Sequence, residues 1–595
     1  MNPYSAHTSV ACGSPAAELW GVLTDTERLN RVMGMARITL EPLSDASAAR
    51  HVVTTRLGGF AVQFEERPFE WVYPTRYRVL RRMRSGPLTA LEVGYTLAPE
   101  PGGGTTVTVR LTLTPRFRAL GALLPLMTGR TLRGFQSAIQ HFDRELQAGR
   151  PVRLAPRGGA IHEGALHRAT AALRPEAPPA LVDRLANLIL EGDDVAVGRI
   201  RPFQLADAWQ VDRRDLLGTC LAAVRAGLLE LNWEVICPSC RTATEAIPTL
   251  AGLADHATCQ LCEIRFAIDL DDAIEATFMP SAAVRTVDLG PYCIGGPSRT
   301  PHVLVQAILP PGTESRLTAP TEEGRYRLFL RGGTAIPVEV RNGAHPFGEA
   351  VFGDGAGPVL VAPGGEVRVR NPSMGEIHAK IERVTFTDQA ARARIVTTMP
   401  GFRRDFSQDI LRPGMALRVA RVGLFFSDLT GSTQLYTDAG DATAFKLVQD
   451  HFEIVVASIE STNGTLVKTI GDAVMAAFAD DLDALRASIT ILHAFDDFRR
   501  GDATRQKTNI KLGVYGGSCY VVTANNVLDY FGQTVNIAAR LQGEAHSGEL
   551  VVTAELADQA LAQRLLPETF IRERYAAHLK GVAAPIAVVR IRVGD

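Results

Sequence analysis

The sequence predicts a chain of several domains, mixing α+β and α/β architecture. Three observations carry that reading. At 595 residues the chain is too long for one hydrophobic core, and three to five domains are expected. Early in the chain, Val107, Val109, Leu111 and Leu113 alternate with Thr108, Arg110, Thr112 and Thr114, the pattern of a half-buried strand. A helical stripe of Leu132, Phe135, Ile139, Phe142 and Leu146 follows. Late in the chain, the apolar run Val422 to Phe426 ends on Ser427 and Asp428 before a Gly/Ser/Thr turn, as a buried strand feeding a helix would.

The net charge of −1 gives no global basic field to attract nucleic acid or an anionic membrane. No apolar run approaches the ~20 residues a membrane span needs; Ala119 to Met127 is the longest near-candidate. Met1 to Gly13 lacks the basic-then-apolar order of a signal peptide. A cytoplasmic protein with no membrane span is therefore expected.

Taken in order, residues 14 to 148 form one α+β unit. Ser14 before Pro15 signals a helix start, followed by apolar Leu19, Trp20, Val22 and Leu23. Two short helices, a run of antiparallel strands and a long closing helix resemble the helix-grip fold of the polyketide-cyclase or START-like superfamily. The segment AAELWGVLTDTERLNRVMG is similar to that superfamily's opening. The resemblance implies a helix-grip domain over residues 1–150, with room for a small hydrophobic ligand. Arg150 to Ala160 reads as a linker rich in Pro, Gly and Arg. Residues 161–232 read as helical and winged-helix-like, through FQLADAWQVDRRDLLGTCLAAVRAGLLEL. Residues 281–400, rich in Gly, Pro and β-formers, read as a β-rich domain, a small sandwich or barrel.

Between them, residues 233–280 hold Cys237-Pro-Ser-Cys240 and Cys259-Gln-Leu-Cys262. Two CxxC pairs at this spacing suit a zinc ribbon, with four thiolates closing a tetrahedron around one structural Zn²⁺. Four protein ligands leave no open position, so the zinc would not be catalytic, and His256 is not needed. A ribbon beside a helix-turn-helix raises DNA binding. Arg213 and Arg214 stand among Asp212 and Asp215, however, and no basic stripe accompanies them. No nucleic-acid partner is expected.

The densest chemistry begins at Asp428. A carboxylate at a strand end, followed by Leu429-Thr430-Gly431-Ser432-Thr433, suits a divalent cation with phosphate oxygens at the turn. A helix follows with an apolar face of Phe445, Val448, Phe452, Val455 and Ile459. A hairpin comes next, Thr465 to Ile470 and Ala473 to Phe478, turning at Gly471-Asp472. If that hairpin neighbours the first strand, Asp472 meets Asp428, and two such carboxylates repel unless cations neutralise them. In LDYFGQTVNIAARL, Asn536 and Arg540 are four apart and share a helix face.

Together these motifs closely resemble class III nucleotide cyclases over about 175 residues. The resemblance implies a ferredoxin-like catalytic domain over 415–595. It implies that Asp428, the Leu429 carbonyl and Asp472 bind two Mg²⁺ or Mn²⁺ ions. Lys468 and Asp529 match the base-selecting pair, Asn536 and Arg540 the transition-state pair, and Lys580, in HLKGV, a phosphate-contacting lysine. Tyr515 replaces a histidine common among relatives. Lysine donates and aspartate accepts, which fits the N1 acceptor and N6 amine of adenine, so ATP is the expected substrate. Since the family divides these residues between two subunits, a homodimer is implied. Residues 161 to about 400 resemble an uncharacterised region found upstream of bacterial cyclase domains. Two other readings stay open: a guanylate cyclase, and a ligand-binding sensor that keeps a degenerate cyclase-like domain for dimerisation.

Overall fold

The alternating Thr105–Pro115 segment forms the expected strand, with Val107, Val109, Leu111 and Leu113 buried. The structure, a computed structural model, describes residues 2–593 apart from 43–50, 58–59, 118–120, 122, 151, 153–158, 239–240, 260–263, 272, 289, 291, 294, 331–334, 351–356, 372, 385–388, 407–409, 432–439, 501–504 and 567–569. Thr105–Pro115 lies between Tyr4–Cys12 and Leu88–Pro99, antiparallel to both. The helix Leu124–Gln147 sets its Leu132, Phe135, Ile139 and Phe142 stripe into the same core as the short helix Ala16–Leu23. The strand Tyr4–Cys12 is missed by sequence reading because its alternation rests on Ala, Ser, Thr and His, which give little hydrophobic contrast. Ser14 does not cap the first helix through its side chain. Its N–H instead donates to the Asp143 carboxylate at 2.9 Å, tying chain entry to the closing helix.

The strands between 303 and 383 do not stand apart, contrary to the separate domain expected. Val303–Leu309 pairs with Glu70–Val72 through Gln306↔Trp71 and Val305↔Val72. The first sheet therefore runs on through Ile377–Arg383, Gly324–Leu330, Ala335–Val340 and Val359–Val361. The Trp71 indole N–H donates to the Val303 carbonyl at 2.9 Å, and the Gln306 amide to the Phe69 carbonyl at 2.6 Å. Periodicity marks a strand but not which edge it joins, so this junction is invisible in sequence. A three-stranded sheet of Glu314–Thr318, Glu366–Arg370 and Phe347–Ala350 shares a core with the extension.

Five helices follow within residues 163–225: Glu163–Leu173, Pro179–Glu191, Asp194–Val197, Pro202–Trp209 and Arg213–Arg225. Asp212 caps the last by accepting from the N–H groups of Arg214 and Asp215. Arg213 pairs with Asp207, and Arg214 Nη1 donates to the Asn463 carbonyl at 3.0 Å. This helix thus docks on the C-terminal domain. A three-stranded sheet, Ala243–Ile247, Leu229–Ile236 and Ile274–Pro280, backs these helices.

The C-terminal sheet runs Gly464–Ile470, Ala473–Phe478, Ala416–Thr430, Asn509–Ala524, Glu549–Thr553, Ile586–Arg592, Ile571–Ala577, with Val527–Phe531 added to the end of Asn509–Ala524. Helices Asp441–Ser461 and Asp481–Arg499 bury Val455, Ile459, Leu485 and Phe495 against Phe425 and Phe478. Phe445 is 60% exposed, contrary to the stripe read from sequence. Val448, Val455 and Ile459 of that stripe are buried as expected, but in the first turn Ala444 and Leu447 are buried in place of Phe445, and His451 joins them. Helix Gln533–Glu544 lies on the other side of the sheet. It approaches so closely that a Cβ on Gly513 would fall 2.2 Å from the Gln542 backbone nitrogen.

Candidate active site

Asp428 stands near the end of the buried strand Ala416–Thr430, where Ser427 is opposite Val474 of the neighbouring hairpin strand. The hairpin turn holds Gly471 at φ 65°, a backbone conformation suited to glycine, and Asp472 follows it. This register carries Asp472 back beside Asp428. Burial raises the Asp428 carboxyl above its ordinary value, and the negative charge of Asp472 raises it further. Lys511, the Leu429 N–H and the Gln542 amide act in the opposite direction. One oxygen of Asp472, Oδ2, is buried without a hydrogen-bond partner. Two neighbouring carboxylates with an unsatisfied oxygen are hard donors suited to Mg²⁺ or Mn²⁺. The expected meeting of Asp428 and Asp472 is therefore present.

Lys468 and Asp529 also meet. Lys468 Nζ lies 2.6 Å from Asp529 Oδ2. A bulge at Val467 produces that aim: Leu466 opposes Ala476, yet Lys468 opposes Met475. The extra residue turns the lysine relative to a regular strand. Asp529 sits in the short strand Val527–Phe531 between buried Leu528 and Tyr530.

Asn536 and Arg540 lie on the helix Gln533–Glu544, Asn536 exposed and Arg540 half-buried. The Arg540 guanidinium reaches the turn at Lys580-Gly581, where a Cβ on Gly581 would lie 3.4 Å from Nη1. Lys580 itself is exposed. Among the described residues, no hydrogen bond or ion pair joins the Asp428–Asp472 pair to Lys468, Asp529, Asn536 or Arg540 within one chain. In the Thr430–Thr433 turn, the Thr430 hydroxyl donates to the Asn509 carbonyl at 2.9 Å, and Gly431 has φ 78°. Ser432 and Thr433 lie outside the described residues.

Sequence reading missed Lys511, Gln542 and His451. Lys511 lies directly opposite Asp428 on Asn509–Ala524. His451 is fully buried on Asp441–Ser461, and burial pulls its imidazole down to about 4 against the opposing charge of Asp472. Only the three-dimensional register brings these side chains to the carboxylates; no local motif marks them.

Of the four cysteines expected to bind zinc, Cys237 and Cys259 are buried, while Cys240 and Cys262 lie outside the described residues. The chain turns tightly after Cys237: the Arg241 N–H donates to the Cys237 carbonyl at 2.7 Å, with Arg241 at φ 57°. Cys259 opposes Ile264 at the closed end of a two-stranded hairpin. Among the described residues no group of three His, Cys, Asp or Glu side chains gathers to hold a metal. Nor is any helix among them long and apolar enough to cross a membrane.

Comparison with known proteins matches this geometry. Residues 415–584 fit the family described as "Adenylate and Guanylate cyclase catalytic domain". Residues 12–140 fit "Polyketide cyclase / dehydrase and lipid transport", and 165–290 fit a family of unknown function. An uncharacterised Mycobacterium tuberculosis protein is 29% identical over 164 residues, 28% of this chain and 39% of the relative. A protein named adenylate cyclase from Anabaena cylindrica is 24% identical over 200 residues, 30% of this chain and 40% of its own. The adenylyl cyclase CyaB structure from P. aeruginosa covers 30% of this chain and 97% of its own, at 21% identity and a TM-score of 0.26. The chain spans less than half the length of these two sequence relatives. The C-terminal domain is a class III nucleotide cyclase domain, and it follows a START-like N-terminal domain.

Proposed function

We propose that this protein is an adenylate cyclase, converting ATP to 3′,5′-cyclic AMP and pyrophosphate. The observation that carries the choice of ATP is the Lys468–Asp529 contact at 2.6 Å. A donor and an acceptor side by side match the N1 acceptor and N6 amine of adenine. Guanine offers the opposite pattern, and each mispaired buried group costs about 1–3 kcal/mol.

Asp428, the Leu429 carbonyl and Asp472 would hold two magnesium or manganese ions, which when bound activate the ribose 3′-hydroxyl and neutralise the triphosphate. In the reaction the 3′-hydroxyl gives up its proton to solvent, the 3′-oxygen forms a bond to the α-phosphorus, the bond from that phosphorus to the α–β bridging oxygen breaks, and pyrophosphate leaves. Lys468 and Asp529 hold the adenine, so that the ribose presents its 3′-oxygen in line. Asn536 orients the ribose. Arg540 offsets charge developing on the α-phosphate, and Lys580, on the turn beside it, contacts the departing phosphates. The segment after Asp428, Thr430 to Thr433, is assigned to phosphate binding in this reading.

A homodimer completes two equivalent sites. Exposed Ile470, Tyr520 and Phe531 support it, since Phe531 is 70% exposed beside its cross-strand partner Tyr520. The test is an assay of the purified chain with manganese. ATP should give cyclic AMP with a kcat/KM at least about tenfold above that for GTP. Equal or reversed preference would remove the assignment of ATP.

Cys237, Cys240, Cys259 and Cys262 bind one structural zinc in this reading, supported by the tight turn after Cys237 and the hairpin end at Cys259. Elemental analysis should find one zinc per chain, lost in Cys259→Ser; protein free of zinc would overturn it. A ligand of the N-terminal domain remains part of the regulatory reading. Its interior is less uniformly apolar than a purely hydrophobic ligand would want. It contains stacked Tyr77 and Tyr95 rings 4.4 Å apart and a buried Arg81–Glu66 ion pair at 2.7 Å.

A further inference from the structure

Both strands that carry the base-recognition pair are anchored from behind by arginines of the upstream region. The strand Val527–Phe531 alternates. Asp529 faces Lys468, and its neighbours Leu528 and Tyr530 point the other way into a buried core. That core is built largely from upstream residues, among them Val396, Met399, Phe402 and Leu411. Arg403, on the short helix Pro400–Asp405, donates from Nη1 to the Leu528 carbonyl at 2.7 Å. Its guanidinium lies 5.4 Å from the centre of the Tyr530 ring. Arg403 is itself held by Nε donating to the Thr397 carbonyl at 3.1 Å. The same helix is fixed to the upstream sheet by Phe402, which meets Trp233 edge-on at 5.8 Å.

A second arginine reaches the start of the other strand. Gly464–Ile470 carries Lys468, and the Asn463 carbonyl just before it accepts from Arg214 of the docked helix Arg213–Arg225. Val467, the bulged residue that aims Lys468, packs on the same shared core. The metal carboxylates are held differently, by the sheet register and by Lys511 and Gln542 of the cyclase domain itself.

We infer that Arg403 is a positioning residue for base recognition, and that the upstream region sets nucleotide affinity and base choice through it while leaving metal chemistry to the cyclase domain. The inference rests on the assignment of Lys468 and Asp529 as the base-recognition pair. Loss of the guanidinium frees the Leu528 carbonyl and loosens the strand at Asp529. A lysine at 403 could restore a donor but not the planar group over Tyr530.

The test uses the full chain as Arg403→Ala, Arg403→Lys and a control, Arg225→Ala. Arg225 pairs with Glu176 and Asp405 in the same region but touches neither base strand. For Arg403→Ala, KM for the preferred nucleotide should rise about five- to tenfold and the ratio of kcat/KM for ATP over GTP should fall by a similar factor, with kcat changed less than about twofold. Arg403→Lys should recover part of the KM and less of the ratio. Arg225→Ala should leave the ratio unchanged. Circular dichroism and a melting curve confirm that each variant is folded. If Arg403→Ala misfolds, Arg403→Lys alone decides through the ratio. The inference is overturned if the ratio stays at the wild-type value, or if Arg225→Ala lowers it equally. Should the wild type prefer GTP, the assignment of ATP fails, yet a ratio that moves in Arg403→Ala still supports the positioning role.

Discussion

Asp428→Ala is expected to lower cyclic AMP formation at least about a thousandfold while the protein stays folded, because the side chain belongs to the carboxylate pair proposed to bind the metal ions and lies outside the main cores. Asp428→Asn separates catalysis from stability. In the native chain the Asp428 carboxyl is raised above its ordinary value, by burial first and by the charge of Asp472 second. The folded state therefore holds the proton more tightly than the unfolded state. The sign follows: stability is greatest below the ordinary carboxyl range and falls as pH rises through the raised native value. Without metal, burial and Asp472 disfavour the charged form of this carboxyl in the fold, and the neutral amide avoids that cost. Asp428→Asn should melt above wild type in metal-free buffer at pH 7, because the neutral amide carries no charge to be desolvated or repelled by Asp472. Wild type should gain stability on adding manganese, and the variant should gain less, since one ligand of the cation is gone. Differential scanning fluorimetry with and without manganese checks both signs. A variant that melts lower without metal, or that gains as much from manganese as wild type, would remove the repulsive carboxylate pair.

What the sequence made legible follows a physical division. Asp428 and Asp472 sit near a strand end and at a turn, where apolar run, small-residue turn and hairpin rhythm mark local structure, whereas Lys468 and Asp529 lie within strands. For Asp428 and Asp472 the meeting is forced by register once hairpin and strand are read; Lys468 and Asp529, paired in sequence only through the family resemblance, lie on strands that are not neighbours in the sheet and meet at 2.6 Å. What stayed hidden depends on contacts between distant segments. The bulge at Val467 needs the partner strand to be defined. Lys511 reaches Asp428 only through a strand pairing 83 residues apart in sequence (511 minus 428). The joining of Glu70–Val72 to Val303–Leu309 spans more than two hundred residues and has no local signature. Arg403 reads as one arginine in a basic pair after Phe402, and nothing nearby in sequence says that its partner is the Leu528 carbonyl. The helix stripe misread at Phe445 is a smaller lesson: in the first turn, three- and four-residue spacing fits two adjacent phases, and only packing decides between them.

Exchanging the base pair should have the largest effect on selectivity. Lys468→Glu with Asp529→Cys replaces a donor and an acceptor by an acceptor for the guanine N1–H and a weak donor toward O6. Two mispaired groups at about 1–3 kcal/mol each should shift the ratio of kcat/KM for ATP over GTP at least about a hundredfold toward GTP. The 2.6 Å contact makes the two changes interdependent. Lys468→Glu alone would press a second carboxylate against Asp529 and leave it without its cation, so the single variant should lose activity on both nucleotides. Asp529→Cys in the same chain removes that repulsion, and the double variant should be more active on GTP than Lys468→Glu alone. A cycle of the four proteins, each assayed with ATP and GTP under manganese, isolates this coupling. If the double variant keeps the wild-type ratio, or if the two single effects simply add, then Lys468 and Asp529 form a surface ion pair and the purine is read elsewhere. If coupling and reversal both appear, the contact seen without nucleotide is the recognition device itself, held ready by the strands on which it sits.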